Sequence, residues 1–168
     1  MVKSGKRLII LIYFILISIL IMFSGRYNHA IDDKGRIKVP QKIKEPLASV
    51  YNDTSVVITN LDKCLVAYPL EEWRKLEEKA LKLPSMQKDV LEFLRYFFSG
   101  AEEVELDKMD RIHIPQSLKI SGNLNKEAVI VGIINRFEIW DRDLWDANFQ
   151  GAKSNFESIA ATMAQIGF

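Results

Sequence analysis

The chain has 168 residues, of which 48% are apolar and 27% charged, with a formal net charge of +1. This is the composition of a globular protein of one domain or two small, closely packed ones, and its single cysteine excludes an internal disulfide. The first 21 residues carry three basic residues and no acid, which leaves a net charge of −2 on residues 22–168. A nucleic-acid-binding function would therefore require the basic residues to be concentrated on one face.

The amino-terminal segment contains an apolar run at residues 8–23, preceded by Lys3, Lys6 and Arg7. As a helix this run would extend about 24 Å, which is short of the roughly 30 Å of a bilayer core. Three interpretations follow: an extension ahead of a true start at Met22, a membrane anchor, and a cleaved signal peptide, although no small-x-small cleavage site follows the run. We favour the start at Met22, for a reason that depends on a family resemblance.

An internal repeat organises the rest of the chain. The sequence DDKGRIKVP at residues 32–40 recurs 75 positions later as DKMDRIHIP at residues 107–115, and the same offset superposes residues 23–25 on residues 98–100. Each copy is predicted to form a charged turn that ends at an arginine, followed by a short apolar strand that a proline ends. The chain is therefore a tandem duplication.

The first half is predicted to contain two β-hairpins. The first joins residues 27–31 to residues 36–39 through a turn at residues 32–35. The second joins residues 56–59 to residues 65–68, because two runs of β-branched and apolar residues bracket a polar turn.

Two helices are predicted to link the halves. Apolar residues at spacings of three and four between Leu70 and Leu83 indicate the first helix, which Pro84 ends. The second helix is predicted to begin after Ser85 as its N-cap and to end at Gly100.

The second half repeats the plan of the first. Its second hairpin joins residues 129–132 to residues 137–140, and one long carboxy-terminal helix follows, with Asp141 as its N-cap. Since four short strands cannot close a core alone, the halves are predicted to pack together about a pseudo-twofold axis. The predicted fold class is α+β, with tandem duplicated β-hairpin halves packed as a pseudo-dimer, linking helices and a carboxy-terminal helix.

Several short motifs carry a resemblance that covers residues 22–160. They are MFSG at residues 22–25, LDKCL at 61–65, YPLEEW at 68–73, FSGAEE at 98–103, VG at 131–132 and FEIWD at 137–141, together with the two D-x-x-x-R turns. In this order and spacing they resemble the MraZ family. The resemblance is specific because separate motifs agree, whereas one D-x-x-x-R turn would carry little weight.

The resemblance implies a bacterial transcriptional regulator of the division and cell-wall gene cluster, built from two AbrB-like swapped-hairpin halves. It implies a homo-oligomeric ring that binds short direct repeats in promoter double-stranded DNA through the D-x-x-x-R turns. Members characteristically begin with Met-Phe-x-Gly, which favours Met22 as the start. The expected location is cytoplasmic and nucleoid-associated, with membrane anchoring through residues 8–23 as the alternative, and no cofactor is expected.

The first turn is expected to be the chief DNA-facing element. Residues 26–44 contain six basic and two acidic residues, whereas residues 101–119 contain three basic and five acidic ones. The second turn also has Asp110 where the turn of the family usually has glycine before the arginine. The candidate DNA-binding residues are Lys34, Arg36, Arg111, Arg26 and Lys38, and the candidate turn-structuring residues are Asp32, Gly35 and Asp107.

Structural roles compete with these assignments. Each turn arginine can pair with the aspartate four residues earlier and lock its turn, which still leaves guanidinium donors for DNA. Cys64 is expected to be a small apolar filler, and no metal site is expected because the two histidines lack a neighbouring ligand pattern. Trp73, Trp140 and Trp145 are expected in the core or in contacts between protomers.

The domain boundaries predicted from the repeat are an amino-terminal extension at 1–21, a first repeat at 22–75, linking helices at 76–97, a second repeat at 98–145 and a carboxy-terminal helix at 146–168. No enzyme is expected, because the chain lacks a nucleophile elbow, a phosphate-binding glycine-rich loop and a Cys/His arrangement. Two alternative functions stay open. One is an antitoxin-like protein-interaction module of the same superfamily, and the other is a membrane-tethered form of the regulator.

Overall fold

The computed structural model describes residues 22–168, which form eight strands and six helices. The first half contains β1 (Arg26–Ala30), β2 (Arg36–Lys38), α1 (Gln41–Ser49), β3 (Ser55–Leu61) and β4 (Cys64–Pro69). The linking helices are α2 (Leu70–Ala80) and α3 (Lys88–Ser99). The second half contains β5 (Glu102–Glu105), β6 (Arg111–His113), α4 (Gln116–Ser121), β7 (Glu127–Ile133) and β8 (Arg136–Asp141), and α5 (Arg142–Ser154) and α6 (Phe156–Gln165) follow.

The two halves are interlocked through their strands. The six-stranded antiparallel sheet has the order β1-β7-β8-β4-β3-β5, and β2 and β6 form a separate two-stranded sheet. The first strand of each half pairs with the third strand of the other half, as β1 with β7 and β5 with β3. The pairs β4–β8 and β2–β6 join equivalent strands across the pseudo-twofold axis. The predicted α+β fold of tandem duplicated, swapped-hairpin halves is therefore confirmed.

The predicted strand pairing is confirmed for the second hairpin of each half. It is wrong for the first hairpin, whose two strands pair mainly with other strands. β3 pairs with β4 and β7 with β8, as expected. In contrast, β1 and β2 share one isolated bridge, between Ile31 and Ile37, and their ladders are formed with strands of the second half. The turn itself is closed by the Asp32 amide, which donates to the Arg36 carbonyl at 2.9 Å. Beyond the turn the strands diverge, and the Ile31 amide donates to the Lys126 carbonyl of the second half at 2.8 Å.

The main core is shared by both halves. It joins apolar side chains of the large sheet to those of the small sheet and of α1 and α4. Ile37 and Ile112 face each other across β2–β6, and both have 0% exposure. Burial of one such side chain contributes about 1.5–3 kcal/mol relative to its exposure to water. The small sheet is therefore fixed to the core by its inner face, and its outer face is left for solvent.

Two smaller clusters lie under the linking helices and under α5. Trp73 of α2 stacks on Phe97 of α3 with ring centroids 5.6 Å apart. Trp145 of α5 meets Trp140 edge-on at 5.7 Å, in a cluster that includes buried Cys64. The tryptophans and the cysteine therefore have the packing roles predicted for them, and burial raises the pKa of the Cys64 thiol.

Three helix boundaries differ from the sequence prediction. The first linking helix ends at Ala80, and residues 81–83 form a turn before Pro84. Ser85 is not an N-cap, because residues 84–87 form a turn in which the Gln87 amide donates to the Pro84 carbonyl at 2.9 Å, and α3 begins at Lys88. Asp141 is the N-cap of α5, as predicted, and accepts from the amides of Asp143 and Leu144. The single long carboxy-terminal helix is two helices that meet at Asn155.

The break between α5 and α6 lies at Asn155, next to a side-chain bond to the helix backbone. The Ser154 hydroxyl donates to the Gln150 carbonyl at 2.9 Å, a type of bond that often bends helices. Asn155 then leaves the helical region, with φ −105° and ψ 16°.

Within residues 22–168, no helix combines the length and apolarity needed to cross a membrane. The predictions for residues 1–21, including most of the apolar run at 8–23, lie outside the described residues.

Candidate nucleic-acid interface

The first D-x-x-x-R turn is held by a carboxylate that caps its backbone and pairs with its arginine. Asp32 Oδ1 accepts hydrogen bonds from the amides of Lys34 (3.0 Å) and Arg36 (2.9 Å). Asp32 Oδ2 accepts from Arg36 Nε at 2.8 Å and lies 2.7 Å from Arg36 Nη2. These two contacts of one guanidinium with a single carboxylate oxygen orient the guanidinium plane. The hydrogen bond from the Arg36 side chain is the main reason that the pKa of Asp32 falls to about 2.

The second turn repeats this network. Asp107 Oδ1 accepts from the amides of Met109 (2.8 Å) and Arg111 (3.0 Å), and Oδ2 accepts from Arg111 Nε (2.9 Å) and Nη2 (2.7 Å). The Arg111 side chain lowers the pKa of Asp107 to about 2, and the same contact raises the pKa of Arg111. Asp32 and Asp107 therefore make the same set of contacts in their two turns.

One position in each turn requires a left-handed backbone. Gly35 has φ +74°, and Asp110 occupies the equivalent position in the second turn with φ +59°. Glycine adopts this region freely, and aspartate tolerates it better than most residues. At Gly35 a side chain would also be crowded, since a Cβ atom would lie 3.2 Å from the Ile114 carbonyl oxygen.

The two turns lie side by side because β2 pairs with β6. Arg36 lies opposite His113, and Lys38 lies opposite Arg111. The sheet extends into both turns, where the Val39 amide donates to the Asp110 carbonyl and the Ile114 amide donates to the Gly35 carbonyl, each at 2.8 Å. Opposed residues of an antiparallel pair point to the same face. The outer face of β2–β6 therefore carries Arg36, Lys38, Arg111 and His113.

The two arginines are not equivalent within this face. Arg111 Nη1 lies 3.9 Å from Asp32 Oδ2 in addition to the pair with Asp107, so its guanidinium is placed between two carboxylates. Its side chain is 22% exposed, compared with 30% for Arg36. The first-half arginine is therefore the more accessible of the two.

The carboxylate of Asp110 forms an ion pair with a lysine of the first half. Lys44 of α1 places Nζ 2.6 Å from Asp110 Oδ1. This contact fixes one of the basic residues of the first half to the second turn. Both charged residues are evident in the sequence, but the offset of the repeat does not predict that Lys44 and Asp110 form an ion pair.

The predicted DNA-binding residues do not all lie together. Lys34 is exposed in the first turn, and Lys38, which is also exposed, is on the outer face of β2–β6. Arg26 is at the far end of β1 from the turn, where its guanidinium carbon is 5.4 Å from the centroid of the Phe149 ring. Four of the five candidates are thus grouped around the small sheet, and Arg26 is in a separate position.

His113 is the member of this face that sequence reasoning overlooked. It occupies the position equivalent to Lys38 at the offset of 75, and that equivalence was the available signal.

Within residues 22–168, no cluster of three or more histidine, cysteine or acidic side chains could hold a metal ion.

Comparison with protein families agrees with the internal repeat. The family model described as "MraZ protein, putative antitoxin-like" matches the chain twice, at residues 22–96 and at residues 97–166. The two matches are consecutive, and the boundary between them falls within α3 (Lys88–Ser99). The chain therefore belongs to the MraZ family.

Proposed function

We propose that the chain is a transcriptional regulator, not an enzyme, that binds double-stranded DNA through the outer face of β2–β6 and its two turns. The observation that supports this most directly is the alignment of Arg36, Lys38 and Arg111 on one face beside Lys34. Arginine and lysine on a rigid surface are the usual donors to phosphates and base edges. Residues 22–168 carry a net negative charge, so the DNA phosphates would be attracted to this local group of basic side chains and not to the protein surface as a whole.

The proposed target is a set of short direct repeats in a promoter of the division and cell-wall gene cluster, as in the regulators that the chain resembles. A single chain offers few phosphate contacts. A ring of protomers would present several such faces to successive repeats, so weak contacts would add through effective concentration.

Unpartnered apolar side chains support assembly into an oligomer. The residues concerned lie on or next to α2, α3, α5 and α6 and include Leu81, Phe93, Phe149, Phe156, Ile159, Ile166 and Phe168, each at least 41% exposed. Exposed apolar side chains that are grouped on one surface mark protein–protein contact sites. We expect native mass spectrometry of the purified protein to give a closed oligomer, and a monomer at micromolar concentration would contradict this part of the proposal.

The test of DNA binding is gel retardation of a duplex that covers the region upstream of the gene for this chain. We expect retardation that weakens steeply as salt increases, because binding releases counterions from the phosphates. A shuffled duplex of the same composition should bind more weakly. Equal retardation of both duplexes would contradict sequence-specific recognition.

An antitoxin-like role is the second candidate. The family is described as antitoxin-like, and the apolar side chains of α6 are a surface that could cover a protein partner. Purification of the native protein separates the two: a stoichiometric protein partner together with no DNA affinity would favour the antitoxin-like role. The membrane-tethered regulator remains a third proposal, and flotation of the full-length protein with membranes would support it.

A further inference from the structure

His113 of the second half lies against the turn of the first half. It is exposed and opposite Arg36 in the β2–β6 pair. Its imidazole is next to Gly35, since a Cβ atom built on that glycine would lie 3.7 Å from His113 Nε2. A nucleic acid that contacts Arg36 and the first turn would therefore also meet this imidazole.

The charged groups around His113 come from β2 with the first turn and from its own strand. The β2 strand and the first turn contribute Arg36, Asp32, Asp33 and Lys34, and Arg111 is on β6 itself. The β5 strand also packs near β6, but its Glu103 and Glu105 lie on the face of the large sheet that carries Val57 and the linking helices. Asp32 is already paired with Arg36. A DNA phosphate bound to Arg36 would lie close to the imidazole ring of His113, which donates from both nitrogens when it is protonated.

The duplication supports a cationic role for this position. Lys38, the equivalent of His113, carries a permanent positive charge on the same face. Histidine supplies a comparable charge when it is protonated, and its ordinary titration falls close to physiological pH.

We propose that the protonated imidazole of His113 contacts a DNA phosphate beside Arg36, so that DNA affinity increases as the pH falls from 8 to 6. This inference rests on the proposed DNA-binding function. The phosphate would then be bound by residues of both halves: Arg36 comes from the first half and His113 from the second.

The test is a fluorescence-anisotropy titration of the full chain with the labelled upstream duplex at pH 6 and pH 8. We expect the wild-type protein to bind about three- to tenfold more tightly at pH 6, because the imidazolium would add one charge-assisted contact to a phosphate. H113Q should remove this difference, and at pH 6 it should reduce the slope of log affinity against log salt by about 1. H113K should bind at pH 8 as tightly as the wild-type protein binds at pH 6.

The other histidine provides the matched control. Burial, with a smaller effect of Lys38, lowers the pKa of His29, so H29Q should keep the pH dependence of the wild-type protein. Thermal melting checks that each variant is folded. If H113Q retains the pH dependence, or H113K gains nothing at pH 8, the inference is wrong while DNA binding stands. If the wild-type protein binds no duplex at either pH, the proposed function fails as well.

Discussion

Lys44 and Asp110 form an ion pair across the two halves, with 2.6 Å between Nζ and Oδ1. Asp110 holds the left-handed position that Gly35 holds in the first turn. The pair therefore combines a strained backbone with the neutralisation of a basic residue next to the proposed DNA face. Replacement of this aspartate would change both.

We predict that D110G increases DNA affinity severalfold, because it removes a carboxylate from the face and releases Lys44 to reach a phosphate. The free energy of unfolding should change by less than about 1 kcal/mol, since relief of the left-handed strain offsets the loss of a partly exposed ion pair. Anisotropy titration and urea unfolding measure the two effects.

D110N is the control for this variant. Asparagine also tolerates the left-handed region, and it removes the charge alone. If D110N binds DNA no better than the wild-type protein, a gain in D110G would come from the backbone and the electrostatic explanation would be wrong.

The carboxylates of the turns predict an acid-sensitive fold. The arginine side chains lower the pKa of Asp32 and of Asp107 from 3.8 to about 2. A depressed folded-state pKa gives stability that is fully present above about pH 4 and is lost as the pH falls towards 2. The double variant D32N/D107N should therefore melt at a lower temperature than the wild-type protein at pH 6 but lose less of its melting temperature between pH 4 and pH 2. Parallel curves for the two proteins would contradict this explanation.

Two glycines give opposite predictions for alanine substitution. G35A places a side chain at φ +74° with its Cβ 3.2 Å from a carbonyl oxygen, and it should lower the free energy of unfolding by about 1–3 kcal/mol. Gly151 lies inside α5 with open space around it, so G151A should raise the free energy of unfolding by about 0.5–1 kcal/mol. Urea unfolding measures both. Stabilisation by G35A would show that the first turn does not need its left-handed glycine.

The apolar stripe of α6 provides a test of assembly. Phe156, Ile159 and Ile166 are exposed and recur at helical spacing, so we expect I159D to dissociate the proposed ring and to weaken DNA binding at low protein concentration. A161D places the same charge on the opposite side of the helix and is the control. If light scattering gives the same mass for I159D and the wild-type protein, α6 is not part of the interface.

Local chemistry allowed much of this fold to be predicted. The β3–β4 and β7–β8 hairpins have their turns encoded between adjacent strands, and the Asp32–Arg36 pair is four residues apart, so short-range patterns were sufficient. The pairing of β1 with β7 joins residues about a hundred positions apart, and no local pattern in the sequence specifies it. For the same reason the contact of His113 with the first turn emerges only in three dimensions.

The offset of the repeat identified equivalent positions but not neighbours. It aligned Arg36 with Arg111, whereas in the fold Arg36 lies opposite His113. Arg26 was grouped with the turn because of its charge, and the length of β1 separates the two.

The comparison of R36A with R111A tests the central claim most directly. Each variant removes one turn arginine. The Arg36 side chain is more exposed than that of Arg111, and it belongs to the first half of the chain, whose turn region is the more basic one. In anisotropy titrations with the upstream duplex we expect R36A to lose about ten- to a hundredfold in affinity, the usual cost of a lost arginine contact, and R111A to lose less. If R36A binds as the wild-type protein does, or if R111A is the more damaging variant while both remain folded, the first turn is not the chief DNA-facing element.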